Sequence, residues 1–178
     1  VADWPTKRRW VAEAYEKLEK AGYTITSAYT AVKNPETTKF IYRDRLWSGA
    51  DMVGLGVSSF GHLGGIHYQN ITNIDHYCDS VEAKKAPVRR ALMTQEEERF
   101  IRELILQWKL GRVDKKYFQK KFGISVTERF SLIITKWKEN GDLIEEGDYL
   151  VLIRDALLRV DSLLHQFFLP HHQDARYV

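Results

Sequence analysis

Hydrophobic and polar residues alternate with helical spacing at the start of the chain. One apolar stripe of the predicted helix consists of Trp10, Val11, Ala14, Tyr15 and Leu18. Thr6 is predicted to cap the first turn and Gly22 to end the helix, because glycine adopts the left-handed conformation without a Cβ penalty. The β-branched and aromatic residues at 23–29 then predict a strand. This order of helix, glycine and strand indicates the αβ half of a βαβ unit.

The stretch of residues 50–65 combines strand-forming residues with five glycines. The hydrophobic residues that suit a buried strand are Met52, Val53, Leu55 and Val57. Because glycine weakens a strand, its repetition indicates main chain that a ligand or another backbone segment approaches closely. A dinucleotide-binding fingerprint is disfavoured, since Ser59 stands where the third glycine is required and no helical spacing follows. A glycine-lined strand end over another ligand and tight backbone packing without a ligand both stay open.

The second half of the chain, after a domain boundary that we place near Arg90, has a different pattern. Apolar stripes predict three successive helices, with Gly111 and Gly123 ending the first two. Alternating residues from 143 to 153 then predict a hairpin, and a leucine-rich helix follows. The residues predicted to cap the four helices are Thr94, Asp114, Ser125 and Asp155. Three helices followed by a hairpin are typical of a winged helix-turn-helix.

The two halves differ in charge. Residues 1–90 carry 13 Lys and Arg against 10 Asp and Glu, whereas residues 91–178 carry 14 of each. A DNA-binding domain normally concentrates positive charge, because phosphate neutralisation supplies most of its affinity. The lysines that cluster on the predicted second helix are the usual pattern of a solvated face. The balanced charge favours a winged helix used for packing, with a nucleic-acid-binding module as an alternative.

Residue types that carry metal or nucleophilic chemistry are sparse. Cys78 is the single cysteine, which rules out an internal disulfide and a thiolate cluster held by this chain alone. The spacing of the histidines matches no zinc motif; they are His62, His67, His76, His165, His171 and His172. The sequence has no nucleophile elbow and no Walker loop. Without an apolar span or a signal peptide we expect a cytoplasmic protein with no membrane partner, and Val1 in place of Met suggests a segment of something longer.

One segment resembles a known family. The residues Gly54 to Phe60 read GLGVSSF and are followed by Tyr68-Gln69-Asn70, and together they are similar to a segment of the oxygen-independent coproporphyrinogen III oxidases and their radical-SAM relatives. Supporting features are Ala21-Gly22-Tyr23, the Arg89-Arg90-Ala91-Leu92 junction and the leucine-rich last helix. The resemblance covers essentially the whole chain, and its specific part is the glycine-containing segment.

The resemblance implies a fold of the class α/β plus α. The family folds as an incomplete βα barrel with an appended helical domain at the C-terminus. Residues 1–90 would then be the last elements of a radical-SAM barrel, and residues 91–178 a winged-helix-like C-terminal domain. Glycines at the end of a barrel strand would agree with this placement, because barrel ligands lie at the C-terminal ends of the strands.

The resemblance also implies an oxidoreductase activity and its cofactors. Family members use a 4Fe–4S cluster and S-adenosylmethionine to decarboxylate two propionates of coproporphyrinogen III oxidatively, giving protoporphyrinogen IX in haem biosynthesis. The residues that would bind S-adenosylmethionine are Gly54, Gly56, Ser58, Ser59 and Phe60. Phe60 stands where family members often have an aliphatic residue, so a contact through its backbone is expected. No catalytic and no metal-ligating residue is assigned to this chain.

The departure from the family is the missing CxxxCxxC motif that holds the cluster, which one cysteine cannot replace. We therefore expect the chain to be inactive alone, and to be a C-terminal fragment whose partner is the N-terminal radical-SAM half of the same protein. The alternative within the superfamily is a haem chaperone or haem-utilisation protein. His62, His67 or the C-terminal histidines would then be axial ligands, and porphyrinogen or haem the partner.

Overall fold

The computed structural model describes residues 2–173 and divides into two compact units. We call residues 2–41 together with 100–173 the split unit, and residues 42–99 the inserted unit. Arg90, near which the sequence predicts a boundary, lies within a strand of the inserted unit. The assignment of residues 1–90 and 91–178 to two domains of the family stays a prediction.

The described residues form short helices and small antiparallel sheets. The helices are α1 (Trp4–Lys20), α2 (Ile41–Trp47), α3 (Ile74–Glu82), α4 (Glu96–Trp108), α5 (Lys115–Phe122), α6 (Val126–Arg129), α7 (Ser131–Glu139), α8 (Arg154–Leu157) and α9 (Val160–Leu164). The strands are β1 (Thr24–Ser27), β2 (Thr30–Val32), β3 (Phe60–Leu63), β4 (Ile66–Asn70), β5 (Val88–Met93), β6 (Arg112–Asp114), β7 (Leu143–Glu146) and β8 (Tyr149–Leu152). Within residues 2–173, no helix has the length and apolar character that crossing a bilayer requires.

The first helix begins one turn earlier than its predicted cap. The backbone N–H of Thr6 donates to the Asp3 carboxylate at 2.9 Å, so Asp3 is the N-cap and the prediction of Thr6 was wrong. Gly22, with φ of +83°, follows the helix end as predicted. Strand β1 pairs antiparallel with β2 across a tight turn. In the described chain these two strands form their own sheet, so the predicted half of a βαβ unit is not found.

The core of the split unit comes mainly from the second half of the sequence. The predicted stripe on α4 is confirmed, with Phe100, Leu104 and Trp108 almost inaccessible to solvent. Trp108 lies edge-on to Trp137 of α7, with ring centroids 5.3 Å apart, and Phe167 packs against both. Strands β6, β8 and β7 form an antiparallel sheet beside these helices, including the predicted hairpin. Asp114 and Ser125 cap their helices as predicted.

Two predicted helices of this half are interrupted. The helix that Ser125 opens breaks at Phe130, whose φ of −121° is not helical, which separates α6 from α7. Phe130 packs edge-on against Phe167 at 4.9 Å, a tertiary contact that local sequence does not reveal. The last helix is divided into α8 and α9. Ile153 precedes α8 without a side-chain cap, so the prediction that Asp155 caps it was wrong.

The N-terminal helix and hairpin belong to the same unit as these helices. The Ala28 N–H donates to the Lys109 carbonyl at 3.0 Å. The Tyr29 hydroxyl donates to the Asp161 carboxylate at 2.7 Å, and Arg154 forms a salt bridge with Glu19 at 2.8 Å. Residues from both ends of the sequence therefore complete one unit.

The inserted unit is built around the antiparallel sheet β3–β4–β5. Gly64 and Gly65, with φ of +57° and +79°, form the two-residue turn between β3 and β4, which requires left-handed residues at both positions. The predicted buried strand before this hairpin was wrong, because Val53 and Leu55 are 59% and 82% exposed. Among the described residues of that segment, only Met52 forms a β-bridge, and its partner is His62. Helix α2 precedes this segment in the sequence.

Candidate functional site

Four of the five predicted site residues, Gly54, Gly56, Ser58 and Ser59, lie in one loop of the inserted unit, and Phe60 begins the strand that follows it. We call residues 54–59 the glycine loop; it connects the Met52 bridge to strand β3. Gly56 has a φ of +92° and Ser58 a φ of +61°. A serine in the left-handed region is uncommon, which shows that neighbouring contacts determine the path of this loop.

Three side chains hold the glycine loop from one side. The Gly54 N–H donates to the Tyr68 hydroxyl and the Gly56 N–H to the Tyr77 hydroxyl, each at 3.0 Å. The Asn70 amide nitrogen donates to the carbonyls of both glycines at 2.9 Å. We call Tyr68, Asn70 and Tyr77 the clamp. Asn70 is 3% exposed, so its two hydrogen bonds lie where water does not compete.

The second half of the loop is joined to strand β4 and its continuation. The Ser58 N–H donates to the Ile71 carbonyl at 3.0 Å, and the Asn70 N–H donates to the Ser59 carbonyl at 2.9 Å. The Ser59 hydroxyl donates back to the Leu55 carbonyl at 2.5 Å. The loop is therefore closed by its own serine and anchored at both ends.

Contacts inside the protein explain two of the glycines in this region. A Cβ at Gly54 would lie 2.2 Å from the Phe60 carbonyl oxygen, and a Cβ at Gly61 would lie 2.2 Å from the Tyr68 ring. Gly56 is different: a Cβ there would meet one side-chain atom within 4 Å, the Ser59 hydroxyl oxygen at 3.7 Å. The space beside Gly56 is open, although its φ of +92° independently favours glycine.

Phe60 begins the sheet next to this open position. Its ring is 47% exposed and stacks on the His67 ring, with centroids 5.8 Å apart and planes 14° from parallel. The strand register places Phe60 opposite Gln69, and Gln69 opposite Arg90, on one face of the sheet. The Arg90 Nε donates to the Gln69 side-chain oxygen at 2.9 Å. A partly apolar surface with one guanidinium thus borders the glycine loop.

The resemblance implies two cofactors, a 4Fe–4S cluster and S-adenosylmethionine, and the residues of this chain fit them differently. Cys78 is exposed on α3 and is the one thiol of the chain, so this chain does not supply the ligands of a 4Fe–4S cluster. An added Cβ at Gly56 would meet only the Ser59 hydroxyl oxygen, at 3.7 Å, so a ligand could approach the main chain closely at this residue. The N–H groups of Gly54 and Gly56 are already bound by the clamp, so they do not provide polar recognition. Binding of S-adenosylmethionine by the glycine loop stays a prediction.

The structure does not favour a nucleic-acid interface on the predicted second helix. Lys115 and Lys138 both form salt bridges with Glu145, the latter at 2.5 Å, and these hydrogen bonds lower the pKa of Glu145 to about 2, that from Lys115 contributing most. Lys116 lies 2.7 Å from Asp148, and Lys121 lies 2.7 Å from Glu103. The lysine cluster is thus largely compensated by carboxylates of its own unit.

The histidines proposed as axial haem ligands lie in different settings. His62 is 5% exposed and faces His67 across β3 and β4, with ring centroids 6.0 Å apart. A buried imidazole of this kind is not positioned to bind a porphyrin at the surface. His171 and His172 lie in a short 3₁₀ helix at the end of the described residues. Haem binding through His67 or the C-terminal histidines stays a prediction.

Comparisons with known proteins identify one kind of relative. No model of a known protein family matches the chain. The oxygen-independent coproporphyrinogen III oxidase of Helicobacter pylori is 24% identical over an alignment 132 residues long, which covers 68% of this chain and 29% of that protein. A solved structure, described as coproporphyrinogen III oxidase (HemN) from Escherichia coli, a radical SAM enzyme, matches 93% of this chain with a TM-score of 0.71 and 14% identity.

The fold is therefore a mixed α/β arrangement that occurs as part of a radical SAM enzyme of known structure. The chain itself is a distant homologue of part of oxygen-independent coproporphyrinogen III oxidase, which confirms the resemblance stated from the sequence. It spans 29% of the H. pylori protein and 42% of the E. coli chain.

The Tyr68-Gln69-Asn70 motif of the resemblance supplies most of the side chains that hold the glycine loop, and one further residue was not predicted. Tyr68 and Asn70 of this motif are two members of the clamp, and Gln69 accepts the hydrogen bond from Arg90. Tyr77, the third member of the clamp, was missed by the sequence analysis as a site residue. It lies on α3, and its helical periodicity indicates only packing. A hydroxyl that reaches back 21 residues to Gly56 leaves no local signal.

Proposed function

We propose that this chain is the C-terminal part of a radical SAM oxidoreductase that resembles oxygen-independent coproporphyrinogen III oxidase. The observation that carries the proposal is the structural match over 93% of the chain at a TM-score of 0.71. The 24% identity to the H. pylori oxidase, found by comparing sequences, also supports it. The activity proposed for the parent protein is oxidative decarboxylation of coproporphyrinogen III to protoporphyrinogen IX in haem biosynthesis, in the cytoplasm.

In this proposal residues 1–90 are the last elements of an incomplete βα barrel, and residues 91–178 are the appended winged-helix-like domain. The order of α4, α5 and α7 followed by the β7–β8 hairpin supports the second assignment. The well-packed core around Trp108 and Trp137 is suited to a scaffold rather than to a base-stacking surface. The role of this domain is therefore to support the parent enzyme.

The glycine loop is the part of this chain proposed to contact S-adenosylmethionine. Gly54, Gly56, Ser58, Ser59 and Phe60 would line the cofactor, with the open side of Gly56 against the adenosyl group. The clamp keeps the loop in one conformation before the cofactor arrives, because all four polar backbone groups of Gly54 and Gly56 are hydrogen-bonded to it. The ligands of the 4Fe–4S cluster would come from the N-terminal half of the parent, and this chain alone would be inactive.

Anaerobic reconstitution of the full-length parent tests the proposal. We expect a brown, iron-containing protein that decarboxylates coproporphyrinogen III, whereas the 178-residue chain treated in parallel stays colourless and inactive. A parent variant with its cluster cysteines changed to serine is the matched control. A full-length protein that stays colourless after reconstitution would contradict the proposal.

A further inference from the structure

The inserted unit does not bury its own apolar side chains. Among its described residues, 42–99, the buried positions are Gly61, His62, Gln69 and Asn70, and none is a hydrophobic side chain. Large apolar side chains of this unit that are exposed by at least two fifths are Tyr42, Val53, Leu55, Phe60, Leu63, Ile66, Ile74, Val81, Val88, Leu92 and Met93. Scattered exposed apolar residues are normal, but a folded unit without a buried one is not.

Three of these side chains form a continuous row across the sheet. Leu63 on β3 pairs with Ile66 on β4, and Ile66 pairs with Met93 on β5. Directly paired residues point to the same face of an antiparallel sheet, so the three side chains are neighbours. They are 48%, 40% and 72% exposed. We call Leu63, Ile66 and Met93 the apolar row.

The chemistry of this face distinguishes it from the opposite face. The next row on the same side consists of Gly61, Tyr68 and Ala91, so neither row carries a charge. The opposite face carries Arg90, Gln69 and two histidines beside Phe60 and Leu92, so it mixes charged, polar and apolar side chains. All six residues of β5 are exposed, and among the described strands β5 pairs with β4 alone.

We propose that the apolar row is the surface on which the part of the parent protein outside this chain packs, presenting an apolar helix or strand layer. The length of the relatives identifies this occupant: the chain accounts for 42% of the E. coli structure and 29% of the H. pylori protein. The paired side chains of the two rows carry no charge, which favours a segment of protein interior over an acidic or nucleic-acid partner. This inference rests on the proposed function. It states that the part of the parent protein outside this chain covers the face of the sheet that carries the apolar row.

Methionine oxidation measures whether this face is covered. The chain contains two methionines, Met93 in the apolar row and the half-buried Met52. Hydrogen peroxide transfers one oxygen atom to an accessible thioether, giving the sulfoxide and water. We expect Met93 to be oxidised about tenfold more slowly in the full-length parent than in the 178-residue chain at equal peroxide, because coverage protects the sulfur. Mass spectrometry of the two methionine peptides gives both rates.

A methionine placed elsewhere provides the control. Leu132 on α7 of the split unit is 87% exposed, so Leu132→Met adds a third reporter without disturbing a core. We expect this reporter to react equally fast in the chain and in the parent. If oxidation were slowed equally at Met93 and at residue 132, the proposal would be overturned, because the protection would then not be specific to the apolar row.

Substitution of the row gives a second measurement. Threonine keeps strand propensity, so a triple variant with Leu63→Thr, Ile66→Thr and Met93→Thr leaves the sheet intact. We expect the melting temperature of the 178-residue chain to change little and that of the parent to fall by several degrees. Equal effects on both proteins would overturn the proposal.

Three other outcomes would also overturn it. These are unchanged oxidation of Met93 in the parent, a gene that encodes no residues beyond this chain, and protection of Met93 that grows with the concentration of the 178-residue chain alone. The last outcome would assign the face to a second copy. Neither measurement needs iron or porphyrin, so a parent that protects Met93 but lacks decarboxylase activity would refute the proposed function alone.

Discussion

The split unit and the inserted unit differ in where their stability comes from. In the split unit Trp108, Phe118 and Trp137 are at most 1% exposed, and aromatic rings interlock at its centre. In the inserted unit the buried side chains are polar, and the glycine loop is held by hydrogen bonds from the clamp. Hydrophobic burial is the dominant stabilising contribution to folding, whereas a hydrogen bond contributes about 1 kcal/mol net. The comparison teaches that only the split unit contains a core of its own.

Removal of an aromatic side chain from that core should have the largest effect. Trp108→Ala is expected to destabilise the chain by about 3–5 kcal/mol, because it removes a fully buried indole and leaves a cavity. Denaturant unfolding monitored by fluorescence of the remaining tryptophans measures the change. Leu55→Ala, at an 82% exposed position of the inserted unit, is the control and should change stability by less than about 0.5 kcal/mol. Similar losses for both variants would contradict the comparison.

Removal of the central clamp residue should have the next largest effect. Asn70→Ala deprives the carbonyls of Gly54 and Gly56 of their shared donor, which is expected to cost about 1–3 kcal/mol in the inserted unit. Amide hydrogen exchange at Gly54 and Gly56 should accelerate, while exchange at residues 100–108 of α4, which belong to the split unit, should not. Acceleration in α4 of the same size would show that the two units do not unfold separately.

A smaller effect is expected from one clamp hydroxyl. Tyr77→Phe keeps the ring and removes the acceptor of the Gly56 N–H, at a cost of about 0.5–1.5 kcal/mol. Exchange of the Gly56 amide should therefore accelerate, whereas that of Gly54, held by Tyr68, should change less. Unchanged exchange at Gly56 in this variant would exclude Tyr77 from the clamp.

The smallest effect concerns a charge on the surface of the split unit. The pKa of Glu145 is lowered from 4.5 to about 2, first by the hydrogen bond from Lys115 and then by that from Lys138. A lowered folded-state pKa means that the stabilisation is complete above pH 4.5 and is lost as the pH falls toward 2. Because the side chain is 38% exposed, the contribution should stay below about 1 kcal/mol.

The variant Glu145→Gln checks this prediction. Its free energy of unfolding should fall below that of the wild type at neutral pH. The difference should shrink as the pH falls from 4.5 through 2, and added salt should reduce it. A difference that does not shrink over this pH range would show that packing rather than charge is responsible.

The sequence predicted the split unit better than the inserted unit for a physical reason. The stripe on α4 and the caps Asp114 and Ser125 are local signals, and the core satisfies them within this chain. The break at Phe130 was not predictable, since it depends on packing against Phe167. Similarly, Asp3 rather than Thr6 caps the first helix; both residue types suit the role and the two positions are one helical turn apart, so the local sequence did not distinguish them.

In the inserted unit, the hydrophobic pattern gave a wrong prediction of burial, because its hydrophobic residues are not buried in this chain. Val53 and Leu55 were predicted to lie in a buried strand but are exposed. The turn at Gly64-Gly65 carried a usable signal, since two glycines between strand residues favour a two-residue hairpin. For the site, the sequence motif predicted the glycine loop and included Tyr68 and Asn70, two members of the clamp. Their hydrogen bonds, and the role of Tyr77, depend on tertiary structure.

The joining of both sequence ends in the split unit has a consequence for synthesis on the ribosome. Tyr29 contacts a residue 132 positions later, and Glu19 contacts one 135 positions later. At about 5–20 residues per second, the N-terminal helix and hairpin wait on the order of ten seconds before these residues have been translated. During this interval Ile25 and Ala28, which pack into the core of the finished unit, have no core to pack against. Because these contacts are so far apart in the sequence, we expect the chain to fold more slowly than other chains of similar helical content.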